Sequence, residues 1–240
     1  MTNGDWKDSK KIVSDFKKLK YFTGFCFSIH GATKWSHKIF TGNDNYEKLI
    51  KNIKLAVKEK FTVITNTVLG ENNKSEIKDL ILLLKDLKVS SMFFSRYIGC
   101  LRQGISFYRD DMKKITDYFA EIEKIMPVIH LSNCFPQCFT KTDSNCKAGI
   151  DHYHIDCKGN LKFCAFSESI FGNLLNKKAS EILKSSKAKS WINHIPKACK
   201  SCDIISACKG GCKTLIEILG ITKDPLMTKP VEIVKKINKR

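Results

Sequence analysis

The chain has 240 residues, 42% of them hydrophobic, eleven cysteines and a formal net charge of +18. That apolar share is enough for an ordinary core, which excludes disorder as the default, and no apolar run reaches the roughly 18 residues of a membrane span. The lysines are scattered and lack the interleaved aromatic residues of a base-stacking platform, so neither a membrane nor a nucleic acid is expected as partner; the charge reads as a solvated surface that also draws in anionic cofactors.

In chain order, the opening MTNGDWKDSKK has no apolar signal core, which points to a cytoplasmic location. Trp6, Ile12, Val13, Phe16 and Leu19 predict a first helix, and YFTGFCFSI (21–29) reads as a buried parallel strand. Tyr46, Leu49, Ile50, Ile53 and Val57 recur at helical spacing, and FTVITNTVL (61–69) predicts a second strand. Asn73 and Glu76 have the spacing of a helix start signal ahead of the stripe Ile77, Leu80, Ile81, Leu84 and Leu87. VSSMFFSRY (89–97) predicts a third strand. Met112, Ile115, Tyr118, Phe119, Ile122 and Ile125 mark a further helix, opened by Asp110 or Asp111. Strands alternating with helices of this length imply parallel βα units and an α/β fold, either a half-barrel or an open sheet. Three strands would leave both sheet edges free, so something is expected beside the first.

After Pro127 the texture changes. Nine of the eleven cysteines lie between 134 and 212, among loops and one hairpin, HYHIDCKGNLKFCAF, turning at Lys158-Gly159-Asn160. The chain is therefore divided into an α/β domain, 1–127, and a small cysteine-dependent domain, 128–240, whose core is too thin to hold without metal.

Reduced thiols clustered in a cytosolic chain read as metal ligands before disulfides. Cys199, Cys202, Cys208 and Cys212 follow C-x2-C-x5-C-x3-C, with Gly210 and Gly211 free to redirect the last thiolate. Cys146 is followed by twelve residues, Gly159, four residues and Cys164, while Cys134 and Cys138 lie upstream. Four thiolates bind one zinc ion or one cubane of four irons, and spacing alone leaves both open beside unliganded core cysteines.

This cysteine and glycine pattern resembles that of radical S-adenosylmethionine (SAM) enzymes carrying a SPASM extension. GGC at 210–212 and GN at 172–173 are similar to that family's text, and so are stretches of the α/β part. TNG (2–4) resembles the end of the family's third barrel strand and SIHGATKWSHKIFTG (28–42) its fourth strand and following loop. VITNTV resembles the fifth strand and FFSRYIG the sixth. The resemblance implies a partial radical-SAM βα barrel followed by a SPASM domain with one or two auxiliary [4Fe-4S] clusters. It assigns Cys146, Cys164 and Cys212 to the first cluster, with Cys138 chosen over Cys134 as the fourth ligand. The second would take Cys199, Cys202 and Cys208, but the stretch that should supply its last cysteine reads DPLM, so Met227 stands there. A thioether is a weak, neutral ligand, which leaves this cluster open at one iron, degraded or absent.

By the same resemblance Ser28, Asn66 and Arg96, at carboxyl ends of strands, would contact SAM, although strand-end polar groups also cap local backbone. His30 and His37 read as structural before catalytic. Ala165 replaces the Asp of the sulfatase-maturing branch, which favours a peptide or protein substrate undergoing maturation. No C-x3-C-x2-C triplet occurs in residues 1–240. The expectation is a truncated or split product without the SAM-cleaving motif, using SAM only if a missing barrel half is supplied. An electron donor and a separately encoded N-terminal barrel half are the expected partners. Two alternatives remain: an electron-transfer or binding module that works with that half, and a zinc-stabilised interaction protein.

Overall fold

The computed structural model describes residues 1–100, 109–132, 134–140 and 146–227. It divides into two compact units, one of Met1–Tyr97 with Lys114–Ser132, the other of Ile98–Cys100, residues 109–113 and the described residues beyond 133.

The first unit is a parallel sheet in sequential strand order with helices between the strands. Helix α1 (Ser9–Lys17) starts at Asp8, whose carboxylate accepts the Lys11 N–H, and leads to β1 (Gly24–Ser28). Trp6 lies ahead of this helix rather than on it; its ring packs on Phe25 and Phe27 while its indole N–H bonds Thr2. Helix α2 (Lys34–Thr41) follows, opened by a capping box between Thr33 and Ser36 and closed by Gly42 in the left-handed conformation. Next come α3 (Tyr46–Lys58), β2 (Thr62–Leu69), α4 (Ile77–Asp86), β3 (Ser91–Arg96), α5 (Arg109–Ile125) and β4 (Ile129–Leu131).

Register fixes which strand residues are neighbours: Ser28 pairs with Asn66, Asn66 with Phe93 and Leu69 with Arg96. Alternation then separates two faces. Phe25, Phe27, Val63, Thr65, Leu69, Met92 and Phe94 are buried, and Leu49, Ile53, Leu80, Leu84 and Phe119 of the helices are buried with them. The other face carries Cys26, Ser28, Ile64, Asn66 and Phe93, all at least partly exposed. The three expected strands are all present. Beside β1 lies Thr2, which bridges Phe27 in parallel through Thr2 N–H to Cys26 O (2.8 Å) and Ser28 N–H to Thr2 O (2.9 Å). The sheet's fourth strand, Ile129–Leu131, lies past residue 127.

Asn73 and Glu76 do not form the expected helix cap. Residues Lys74–Glu76 form a 3-10 turn without a side-chain cap, because both side chains are engaged elsewhere. Asn73 donates to the carbonyls of His30 and Val68, and the Glu76 carboxylate accepts from Ala32 N–H and the Thr33 and Ser36 hydroxyls. They fasten the β2–α4 connection to the β1–α2 loop. The start of α5 abuts residues outside those described; Asp110 and Asp111 fall in its first turn.

In the second unit, α6 (Gln137–Thr140) precedes a small antiparallel sheet of β5 (His154–Ile155), β6 (Asn160–Lys162) and β7 (Gly172–Asn173). The hairpin turns where expected, with Gly159 at φ +78° and the Asp156 carboxylate accepting Lys158 N–H and Asn160 N–H. Helices α7 (Ala179–Lys184), α8 (Ser186–Ile192), α9 (Ile205–Cys208) and α10 (Lys213–Leu219) complete it. Its core is thin. Leu161, Phe163, Phe171, Ile182 and Ala188 form one apolar cluster, centred on Phe163 and Phe171 stacked at 3.8 Å; Cys212, Leu215 and Leu219 form another.

Candidate metal centre

All the cysteines expected to bind metal lie in the second unit, and every cysteine in the chain is a free thiol. Cys199 ends a 3-10 turn after Pro196, and the Cys202 N–H bonds back to the Cys199 carbonyl. Cys208 ends α9, after which Lys209, Gly210 and Gly211 all take positive φ (57°, 86° and 82°). Successive residues of that conformation turn their N–H groups inward, a shape suited to an anion. The group that meets them here is the Cys208 sulfur. It accepts from the backbone of Gln137, Gly210 and Gly211 and from the Cys138 thiol, and that last bond is the main cause lowering its pKa. Cys138 moves the opposite way, because its proton is the one donated to Cys208; burial and the charges of Cys208, Cys199 and Cys202 add to the rise. Burial, then Cys208 and Cys202, raises Cys199. Met227 also arrives, its Sδ 3.8 Å from the Cys199 Sγ.

A second group forms around Cys146. Its thiol is raised first by burial and then by the nearness of Cys164 and Cys134, while the Ala148 N–H and the Lys213 ammonium favour its thiolate. Lys213 follows Cys212 in the chain. Burial pushes its pKa down to about 8, yet it donates to the carbonyls of Trp191 and Ile192 and lies 5.1 Å from the Trp191 ring centroid. Cys212 caps α10, its Sγ accepting the Leu215 N–H at 3.4 Å. The same helix is tied to the loop after Cys164, since Ser167 bonds Glu217 at 2.9 Å and its own N–H bonds the Cys164 carbonyl. Buried Asp224 closes the region, accepting Cys212 N–H (2.8 Å) and Leu226 N–H (3.0 Å).

Thus Cys199, Cys202 and Cys208 come together as the spacing suggested, and Cys146 comes near Cys164. Cys138, expected with Cys146, instead lies against Cys208, while Cys134 is the upstream thiol near Cys146. Among the described residues no three His, Cys, Asp or Glu side chains are set as a single-ion site. The donors are all sulfur, and Cys146, Cys208 and Cys212 receive backbone N–H bonds, which fits thiolate ligation of an iron–sulfur cluster. Sequence reasoning missed Lys213 and Asp224. An Asp accepting the N–H two residues on was the readable signal for the latter; nothing in KTLIEIL singles out Lys213.

Residues 146–203 match the model of the SPASM family, an iron–sulfur cluster-binding domain. Outside that span the likeness is one of fold. SuiB of Streptococcus suis bound to S-adenosylmethionine superposes with a TM-score of 0.72 at 16% identity, covering 95% of this chain and 58% of that one. SuiB bound to the precursor peptide SuiA gives 0.70 at 18%, covering 88% and 53%. The enzyme anSMEcpe with bound AdoMet gives 0.68 at 16%, covering 99% and 68%. No curated protein matches. The chain spans about 59% of the length of SuiB. The resemblance to radical SAM enzymes with a SPASM extension is borne out, as is the partial barrel followed by a SPASM domain. No helix among the described residues is long and apolar enough to cross a membrane.

In the first unit, Ser28 and Asn66 are direct neighbours on the partly exposed face of the sheet. Arg96 pairs with Leu69 and is 4% exposed, at a register position belonging to the helix-covered face. His30 and His37 each accept a backbone N–H on Nδ1, from Val68 and His30 respectively (both 3.1 Å). Burial lowers both, His30 to about 3, so the rings stay neutral. They are structural acceptors within the β1–α2 turn.

Proposed function

We propose that this chain is an iron–sulfur protein of the radical SAM/SPASM family that takes part in peptide modification, with two auxiliary [4Fe-4S] clusters held by its cysteine-rich unit. The observation that carries the reading is the gathering of thiols into two groups within a unit that matches the SPASM model. When bound, such clusters supply one-electron transfer and docking points for a substrate. The protein's own residues set their surroundings. Gln137, Gly210 and Gly211 present N–H groups to one sulfur, and Lys213 places a half-buried cation near Cys146. Ser28 and Asn66 offer adjacent hydroxyl and amide groups for the polar end of SAM.

The peptide substrate is inferred from the likeness to SuiB, whose structure with a precursor peptide covers most of this chain. Residues 1–240 contain no C-x3-C-x2-C, so SAM cleavage requires a barrel half bearing that motif. The partly exposed sheet face bearing Ser28, Asn66 and Phe93 favours a second reading, a cluster-carrying module for a separate barrel half; an electron donor serves either.

Anaerobic purification tests the first claim. A brown protein with matched iron and sulfide supports it; a colourless zinc protein refutes it. Incubating the reduced protein with SAM should yield no 5′-deoxyadenosine, and appreciable product would show that the absent motif is dispensable.

A further inference from the structure

We infer that Cys138 is the fourth ligand of the cluster bound by Cys199, Cys202 and Cys208, replacing the cysteine that Met227 displaces, and that Cys134 joins Cys146, Cys164 and Cys212. This rests on the cluster reading above and reverses the upstream pairing chosen under the family resemblance.

Three observations carry it. The Cys138 thiol is hydrogen-bonded to Cys208, and Cys199 and Cys202 are the other thiols whose charges bear on it. That bond joins elements that also pack: α6, which holds Cys138, lies against α9, which ends in Cys208, and the adjacent Gln137 N–H bonds the Cys208 sulfur. Meanwhile Cys146 has Cys164 and Cys134 as its thiol neighbours.

The chemistry explains why the exchange is needed. The segment after α10 reaches this site, since Met227 Sδ is 3.8 Å from Cys199 Sγ, with Asp224 anchoring the approach. A thioether there is neutral and a poor match for the thiolate a cubane iron takes. An upstream thiolate on a short helix restores four sulfur anions without rebuilding the C-x2-C-x5-C turn. Cys134, four residues earlier, is then released to the other set.

The test uses the full chain, purified anaerobically with iron and sulfide, as wild type and as Cys138→Ala, Cys134→Ala, Cys138→Ala/Met227→Cys and Cys134→Ala/Met227→Cys. Iron, sulfide and the electron paramagnetic resonance of the oxidised protein are measured. Wild type should hold about eight irons, as two [4Fe-4S] clusters. Cys138→Ala should lose about one to four irons and show a three-iron signal if one corner is shed. Adding Met227→Cys should restore wild-type iron and spectrum to this variant. Cys134→Ala should also lose iron but gain nothing from Met227→Cys. The assignment is overturned if Cys138→Ala keeps its iron and spectrum, if Met227→Cys fails to restore it, or if Met227→Cys restores Cys134→Ala instead. Wild type that binds zinc and no iron sinks the cluster reading itself. That result is distinct from an iron-replete wild type whose Cys138→Ala variant is unchanged.

Discussion

The two units are held together by different physics. In the first, Phe27, Leu49, Ile53, Leu80, Leu84 and Phe94 lose all contact with water behind a parallel sheet whose strands pair in order. In the second, strands of two or three residues surround a core centred on Phe163 and Phe171, and sulfur accounts for part of the buried surface: Cys199, Cys208 and Cys212 are all under 9% exposed. Apolar burial stabilises the one at any redox state. The other has a thinner apolar core and, on the reading proposed above, gains stability when its free thiols are ligated.

Removing the metal should separate them most sharply. Chelation under reducing conditions should speed hydrogen exchange at Leu161 and Phe163 by at least about a hundredfold, roughly 2.7 kcal/mol, and leave Phe27 and Val63 unchanged. Equal effects in both units would erase the distinction. Phe27→Ala reverses the pattern: deleting a ring that is 0% exposed should cost about 3–5 kcal/mol in denaturant unfolding of the first unit, with cluster absorbance retained. Gly211→Ala attacks the second unit through its backbone. At φ +82° the new Cβ would sit 2.7 Å from Asp224 Oδ2, so a loss of about 1–3 kcal/mol and lower iron retention are expected on titration with chelator.

The mildest probe is pH. His30 is lowered to about 3 from 6.5, so the unfolded chain binds the proton more readily between those values. Its contribution is complete above pH 6.5 and lost as pH falls toward 3, with His37 shifted in the same direction. Between pH 6.5 and 5.5 the first unit should lose about 1 kcal/mol through His30, read from the urea midpoint, and His30→Gln should flatten that slope.

Much of the first unit was legible because β-prone runs and helical stripes are local signals: residues 62–69 and 91–96 are strands within the runs quoted from sequence. Helix α2 was passed over since KWSHKIFT is only eight residues long and buries Ser36 and His37 rather than a hydrophobic stripe. Strand β4 is three residues long after a proline, too short to signal itself. In the second unit the spacing marked Cys199, Cys202 and Cys208 as one group, because those are contacts across a few residues. Which upstream thiol meets Cys199, Cys202 and Cys208 is a question of convergence over some sixty to seventy residues, and spacing carries no information at that range.

Asp224 holds the amides of Cys212 and Leu226 on one carboxylate, twelve residues after the first and two before the second. The stretch between them, α10 included, is thereby a loop closed at its base by Asp224 and pinned along its length through Lys213 and Glu217. Pulled or frayed, it should come undone in one event instead of residue by residue, and the last thiol of the cysteine motif would be let go in the same stroke.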